Sequence, residues 1–299
     1  MSSVAVILGG KSAEREISLT TGRAIAQALR ALGHRVEEID AAGDLVASLR
    51  ALSPDAAFIA LHGRWGEDGT VQGLLEMMSI PYTGSGVAAS ALAMDKGLTK
   101  AMFSARGVPT PRYQLLLPGE GERDIRLLPP FVVKPPREGS TIGISIVKNP
   151  AGIVAALDEA RRYSKEVLVE EFIDGRELTV GVLDSRPLPI VEITPESGFY
   201  DFASKYTPGR TSYTCPALLG ETEAASVSGA GLKAYEALGC SGAARVDVLL
   251  DRSGKPWVIE VNTIPGMTPT SLLPKAAAAA GIDFGALVET MLSGAGLKA

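Results

Sequence analysis

The chain has 299 residues, 46% hydrophobic and 21% charged, which is ordinary usage for a folded globular protein and excludes a disordered or fibrous one. A net charge of −5 supplies no basic excess for a phosphate backbone, so no nucleic-acid partner is expected. No apolar run approaches the ~20 residues that cross a bilayer, and Met1-Ser2-Ser3 before a short apolar run lacks the basic start of a secretory signal, so the expectation is a cytoplasmic protein with no membrane partner.

The first third alternates strand-like and helix-like segments. Residues 4–8 form an apolar run ending at Gly9-Gly10, a buried strand and tight turn. Residues 18–32 carry apolar positions at helical spacing, with Ser18 as cap and Gly33 as stop. A strand at 36–39, a helix at 45–52 and a strand at 56–61 ending at His62-Gly63 follow. Such alternation predicts a parallel sheet covered on both faces, with ligands gathering at the carboxyl ends of its strands. A long helix-like stretch, 86–106, then runs into the break Val108-Pro109-Thr110-Pro111. Beyond it come strand-like runs at 131–134, 144–148, 167–172, 178–183 and 188–193 with one helix near 150–163, which reads as an antiparallel or mixed sheet. A helix at 221–238, strands at 243–250 and 256–261, and C-terminal helices complete the chain, so the fold class is α/β followed by α+β.

Two nucleotide signatures fail. Gly10-Lys11-Ser12 after a strand resembles a P-loop, but the required glycine five residues earlier is Ala5. Gly84-Ser85-Gly86 with Ala89 mimics a dinucleotide fingerprint without a proper strand before it.

The strongest chemical signal is the pair of late strands. Strand periodicity puts Arg245 and Asp247 on one face of the first, and Glu260 and Asn262 on one face of the second, with Val246, Val248, Ile259 and Val261 opposite. Asp251-Arg252-Ser253-Gly254 is hairpin chemistry, and folding about it brings Asp247 nearly opposite Glu260. Two carboxylates and an amide oxygen on one face would repel unless neutralised, and a hard divalent cation such as Mg²⁺, sharing its shell with substrate phosphates, does that. The plainer alternative is a solvated face on which Arg245 pairs with Asp247 and Glu260. A second signal is Lys134 at a strand end, followed by a flexible loop through Ser140, Thr141 and Gly143 that could fold over phosphates or be an ordinary glycine hairpin. A third is residues 167–173 with Glu170 and Glu171, an edge able to hold a flat base or a surface strand with solvated acids.

Together these residues resemble the ATP-grasp superfamily, in which two α+β subdomains hold ATP between two antiparallel sheets. More narrowly, the chain is similar to the D-alanine–D-alanine ligases along nearly its full length, through Gly9 to Ser18, Leu61-His62-Gly63 with Gly66-Glu67-Asp68-Gly69, Tyr82 to Gly86, Met94-Asp95-Lys96, Lys134 to Gly143, Lys205-Tyr206, Arg245-Val246-Asp247, Glu260 to Thr263 and Pro265 to Thr268. The resemblance implies an N-terminal parallel-sheet (pre-ATP-grasp) domain at 1–85, a central ATP-grasp subdomain at 86–177 and a C-terminal one at 178–299. It implies ATP-dependent joining of two D-alanine molecules through a D-alanyl phosphate, for peptidoglycan precursors. Making D-alanyl-D-lactate, using another D-amino acid, or binding ATP as a non-catalytic sensor are the alternatives.

The same resemblance implies site roles. Asp247, Glu260 and Asn262 hold two Mg²⁺, with Mn²⁺ as a substitute, and a monovalent cation is a further possible activator. Lys96, Lys134, Ser140 and Gly143 serve the phosphates, and Glu170, Glu171, Ile173 and Glu177 border the adenine and ribose. Glu14 and His62 receive the first D-alanine, Lys205 and Ser271 the carboxylate of the second, and Arg245 with Gly266 N–H the oxyanion. Residues 199–213 form a closing loop, with Glu14, Ser140 and Tyr206 as its latch, and a homodimer forms through the N-terminal domain. Read singly, Glu14 is also a helix-start acid, His62 a satisfied turn histidine and Tyr206 a packing aromatic. Thr141 replaces the family's usual serine, Glu171 stands where many relatives carry lysine, and Trp65 has no assigned role.

Overall fold

The computed structural model describes residues 1–139, 142–195, 210–268 and 271–298. Strands β1 (Ser3–Leu8), β2 (Arg35–Asp40) and β3 (Ala56–Ile59) form a parallel sheet of order β2-β1-β3. Along β1, Val4, Val6 and Leu8 enter one core and Ala5 and Ile7 another, so both faces are covered and the strand reads as an unbroken apolar run. Helix α1 (Arg15–Ala31) covers the first face through Ile25, Ala26 and Leu29. Helices α2 (Leu45–Leu52) and α3 (Thr70–Met77) cover the second through Leu49, Val71 and Leu75.

Ser18 is not the cap expected of it. The helix begins a turn earlier, Glu14 holds the cap position, and Ser18 is buried within α1, donating to Ala60 O at 2.7 Å. Gly22 marks where α1 crosses β1. A Cβ there would lie 2.5 Å from Leu8 Cβ, so only glycine permits the approach. Alanine gains about 1 kcal/mol of helix propensity, but overpacking of a fixed crossing loses about 1–3 kcal/mol. Gly22→Ala is therefore expected to lower the urea unfolding midpoint, and an unchanged or higher midpoint would show that the crossing yields.

The expected helix 86–106 is two helices, α4 (Val87–Met94) and α5 (Lys96–Arg106). Asp95 separates them in an extended conformation, because its carboxylate accepts the N–H groups of Gly97 and Leu98 at 2.9 and 3.1 Å and caps α5. After the proline break, β4 (Tyr113–Leu116), β5 (Phe131–Lys134), β6 (Ser145–Val147) and β7 (Val167–Glu171) form an antiparallel sheet of order β4-β7-β5-β6, packed on α6 (Ile153–Arg161).

The remaining strands make a separate antiparallel sheet. It comprises β8 (Gly175–Leu183), β9 (Arg186–Pro187), β10 (Val191–Pro195), β11 (Thr211–Thr214), β12 (Ala243–Asp251) and β13 (Pro256–Asn262), in order β11-β10-β8-β12-β13 with β9 on β8. The strand expected at 188–193 starts later, at Val191, and Leu188 and Ile190 pack into cores outside it. The expected closing loop also ends sooner, since Thr211–Thr214 pairs with β10. Helix α7 (Glu221–Ala237) covers one face of this sheet, while α8 (Leu272–Ala279) and α9 (Phe284–Ser293) share a core with β1 and α1. No single helix among the described residues is long and apolar enough to cross a membrane.

Candidate active site

The hairpin β12–β13 forms as expected, with Arg245 opposite Asn262 and Asp247 opposite Glu260. A bulge follows Asp247, so pairing resumes at Val248 with Val258, and Ile259 becomes the extra residue instead of a core-facing one. Val246, Val248, Val258 and Val261 enter the core and leave the acids on the opposite face. Asp247 accepts two bonds from Arg245, Nε to Oδ1 and Nη2 to Oδ2 at 2.9 Å each, and a third from Thr179 Oγ1 at 2.8 Å. Glu260 pairs with Lys96 Nζ at 3.2 Å. The alternative of Arg245 neutralising its neighbour thus holds for Asp247, while Lys96, from a different element, answers Glu260. Asn262 Oδ1 accepts the N–H of Ile264 at 2.9 Å.

The opposite wall is the β4-β7-β5-β6 sheet with its loops. Lys96 Nζ also donates to Glu138 O at 2.8 Å, and its backbone N–H donates to Pro136 O at 2.9 Å, so the start of α5 holds the loop that follows Lys134. Arg137 fastens the same loop, with Nε donating to Asp95 Oδ2 at 2.6 Å and Nη2 pairing with Glu166 at 2.7 Å. Gly143 turns the loop back with φ +70, packed against Tyr163 and Pro135.

Glu170 lies on β7, among the residues expected to border the adenine and ribose. Its carboxylate is buried between two ammonium groups, Lys100 at 2.5 Å and Lys134. Burial alone would raise its pKa, but the two lysines hold it below the usual carboxylate range. Glu171 is the outward neighbour and binds Arg112, which directly precedes β4, through two bonds of 2.9 and 3.0 Å. Ile173 lies in the connection to β8, half-buried, and Glu177 lies on β8 opposite Leu249 and Ile193.

At the head of α1, the Glu14 carboxylate reaches both neighbouring loops. A methyl placed on Gly63 would lie 2.7 Å from Glu14 Oε2, and one on Gly139 would lie 3.6 Å from it. His62 is buried near Thr21 Oγ1 at 3.3 Å. Burial, with the charge of Arg245, lowers its pKa and keeps the imidazole neutral, although Glu14 pulls the other way. Glu67 joins this group without having been expected there. Desolvation first, and the charge of Glu14 second, push its carboxyl up to about 8, and Gly63 N–H donates to Glu67 Oε2 at 2.6 Å. Gly266 lies against Ser271, whose Oγ accepts Thr268 N–H at 3.1 Å. Ser140, Thr141, Lys205 and Tyr206 lie outside the described residues, as does the closing loop up to residue 209. Trp65, with φ +74 and Arg64 stacked 4.7 Å over its ring, borders an apolar cavity of about 300 Å³ with Leu45, Val71 and Leu74. Among the described residues, His62 is the only candidate site residue that lines that cavity.

Among the described residues no cluster of three or more His, Cys, Asp or Glu side chains is arranged to hold a metal. The donors are two carboxylates and one amide oxygen. An all-oxygen, incomplete set of this kind suits a hard cation that finishes its shell with water and phosphate, so the residues fit Mg²⁺ better than a metal needing an all-protein cage.

Two antiparallel sheets, one carrying the buried Lys134 and the other the paired acids Asp247 and Glu260, with the buried lysines of α5 between them and a parallel α/β unit before them, define an ATP-grasp fold. The family model described as D-ala D-ala ligase C-terminus matches residues 102–293, and the one described as D-ala D-ala ligase N-terminus matches 44–85. The D-alanine–D-alanine ligase of Syntrophotalea carbinolica is 55% identical over 99% of this chain and 96% of its own length. That of an Anaeromyxobacter species is 52% identical over 99% and 97%. The crystal structure of the Bacillus anthracis D-alanine–D-alanine ligase complexed with ATP superposes with a TM-score of 0.86 at 34% identity, covering 98% of this chain and 97% of that one. The chain belongs to the D-alanine–D-alanine ligase family.

Proposed function

We propose that this chain joins two D-alanine molecules into D-alanyl-D-alanine at the expense of ATP, for peptidoglycan precursors. The observation that carries the reading is Lys96, whose ammonium spans the crevice from the loop carbonyl of Glu138 at 2.8 Å to the carboxylate of Glu260 at 3.2 Å. One cation placed between a phosphate-type loop and an acid pair is what a polyphosphate held between two sheets requires. ATP is the co-substrate. Its γ-phosphoryl group goes to the carboxylate of the first D-alanine, because a carboxylate is a poor electrophile and an acyl phosphate a good one.

Asp247, Glu260 and Asn262 would hold Mg²⁺, with Mn²⁺ as a substitute, and the metal when bound neutralises charge on the transferring phosphoryl group. Lys96 and Lys134 bind the phosphates beside it, and Gly143 turns the loop that Ser140 completes. The backbone at Glu170, Glu171 and Ile173, with Glu177, borders the base and ribose. Glu14 takes the ammonium of the first D-alanine, with neutral His62 alongside. The neutral amine of the second D-alanine then attacks the acyl carbon, and the C–O bond to phosphate breaks so that inorganic phosphate leaves as the peptide bond forms. Arg245 and Gly266 N–H meet the developing oxyanion, and Ser271 with Lys205 holds the second carboxylate. The part of residues 199–213 that precedes β11 would close over the site, with Glu14, Ser140 and Tyr206 as latch, and exclude the water that would hydrolyse an acyl phosphate. The division at 85 and 177, a homodimer through the N-terminal domain, and a cytoplasmic location complete this reading.

The test is ADP release measured in parallel with D-alanine, L-alanine, and D-alanine plus D-lactate. Release that needs D-alanine and is not exceeded with D-lactate is expected. Faster release with D-lactate would move the assignment to a depsipeptide ligase, and no D-alanine-dependent release would end it.

A further inference from the structure

The proline break at 108–111 has no part in the chemistry above, yet it joins the two walls of the crevice. Pro109 O accepts the N–H of Val258 on β13 at 2.8 Å, and Thr110 Oγ1 donates to the carbonyl of the same residue at 2.8 Å. In a parallel bridge between Thr110 and Val258, that carbonyl would be met by the N–H of the residue after Thr110. That residue is Pro111, which has no N–H. The threonine hydroxyl stands in for it and covers the exposed side of β13, which is the last strand of its sheet.

The hydroxyl has one proton, committed to Val258 O, so its lone pair faces outward and accepts from Lys100 Nζ at 2.8 Å. Lys100 is fully buried and also donates to Glu170 Oε1 at 2.5 Å, while the other Glu170 oxygen pairs with Lys134. An unbroken polar chain therefore runs Val258, Thr110, Lys100, Glu170, Lys134, from the acid-bearing strand to the lysine of the facing sheet. Lys96 and Lys100 are four residues apart on α5 and share a face. The helix thus reaches β13 twice, at Glu260 directly through Lys96 and at Val258 indirectly through Lys100 and the Thr110 hydroxyl.

We propose that Thr110 and Lys100 are positioning residues that hold the Lys134 ammonium in register with strand β13. The proposal rests on the reading of Lys134 as a nucleotide ligand. Glu170 divides its charge between two lysines. If Lys100 is withdrawn, the whole carboxylate falls to Lys134 and pulls its ammonium away from a phosphate. Burial, against the attraction of Glu170, brings the Lys100 pKa down to about 8, so it is still charged at neutral pH. The groups facing it are Glu170, Lys134, the hydroxyl of Thr110, the Tyr113 ring at 5.9 Å and, farther off, Glu260.

Thr110→Val keeps the side-chain outline and deletes both hydrogen bonds. ATP affinity, measured by calorimetry on the full chain with Mg²⁺ and no D-alanine, is expected to fall about tenfold, the scale of one or two lost buried hydrogen bonds. The KM for D-alanine should stay within twofold, and Thr110→Ser should restore ATP affinity. Lys100→Met is expected to weaken ATP further, and the double variant to be no worse than Lys100→Met alone, because Thr110 acts through Lys100. Should Lys100→Met not fold, the valine and serine variants decide. Unchanged ATP affinity in Thr110→Val, whatever happens to its melting temperature, overturns the proposal. So do failure of serine to rescue and multiplicative losses in the double variant. If the wild-type chain binds ATP but does not consume it with D-alanine, the ligase reading fails while the affinity comparison still reads the relay.

Discussion

Glu260→Gln is expected to abolish turnover, lowering ADP release with saturating D-alanine by at least about 10³-fold, roughly 4 kcal/mol of transition-state stabilisation. Glu260 faces Asp247 across the hairpin and meets Lys96 at 3.2 Å, so its charge is shared by everything placed between the sheets. Glutamine has the same outline and leaves an oxygen for Lys96, which confines the effect on the fold to about 1 kcal/mol. What it lacks is the negative charge, and the metal set proposed here, two carboxylates and an amide, would lose half of its charge. The readouts separate accordingly. Mg²⁺-dependent ATP binding by calorimetry should collapse along with the rate, while the melting temperature moves by a few degrees. Turnover within tenfold of wild type, with Mg²⁺-dependent ATP binding intact, would remove Glu260 from the metal set and leave it as a partner of Lys96.

The hairpin was legible because its information is local. A period-2 pattern and a four-residue turn are enough to oppose Asp247 and Glu260, and only the bulge that displaces Ile259 escaped, since an extra residue leaves no mark on composition. The alternation of strands and helices before residue 62 gave the parallel sheet for the same reason. Asp95 did carry a signal, a short acid directly before Lys96 where a helix restarts, but the apolar periodicity on both sides conceals the break. The Glu170 triad and the Thr110 bridge could not be read. Lys100 lies 70 residues from Glu170, and Thr110 lies 148 from Val258, and neither distance is encoded in any local pattern. A lysine within a helix looks solvated until the tertiary fold buries it. Glu67 stood within a recognised segment, but its raised pKa depends on enclosure beside Glu14, which only the packed structure supplies.

Arg245 allows the two halves of the site to be told apart. It holds Asp247 through two bonds of 2.9 Å, and its charge also acts on His62 and Glu67, so it stands between the acid pair and the group around His62. With Arg245 in the oxyanion role proposed for it, Arg245→Met is expected to lower kcat by about 10²–10³-fold, the usual loss for one such donor. The direction on nucleotide binding is the opposite of that for Glu260→Gln. Asp247 keeps the Thr179 hydroxyl at 2.8 Å and loses its competing cation, so its carboxylate is freer to serve Mg²⁺ and ATP affinity should hold or rise. Unpairing a half-buried carboxylate lowers stability by about 1–3 kcal/mol, which a thermal melt registers separately from the rate. Arg245→Lys restores the charge but not the planar two-point geometry, and should recover only a minor part of kcat. A methionine variant whose kcat stays within threefold of wild type would place Arg245 outside the reaction, as a clamp on Asp247. Parallel losses of ATP affinity and kcat would instead make it part of the nucleotide site.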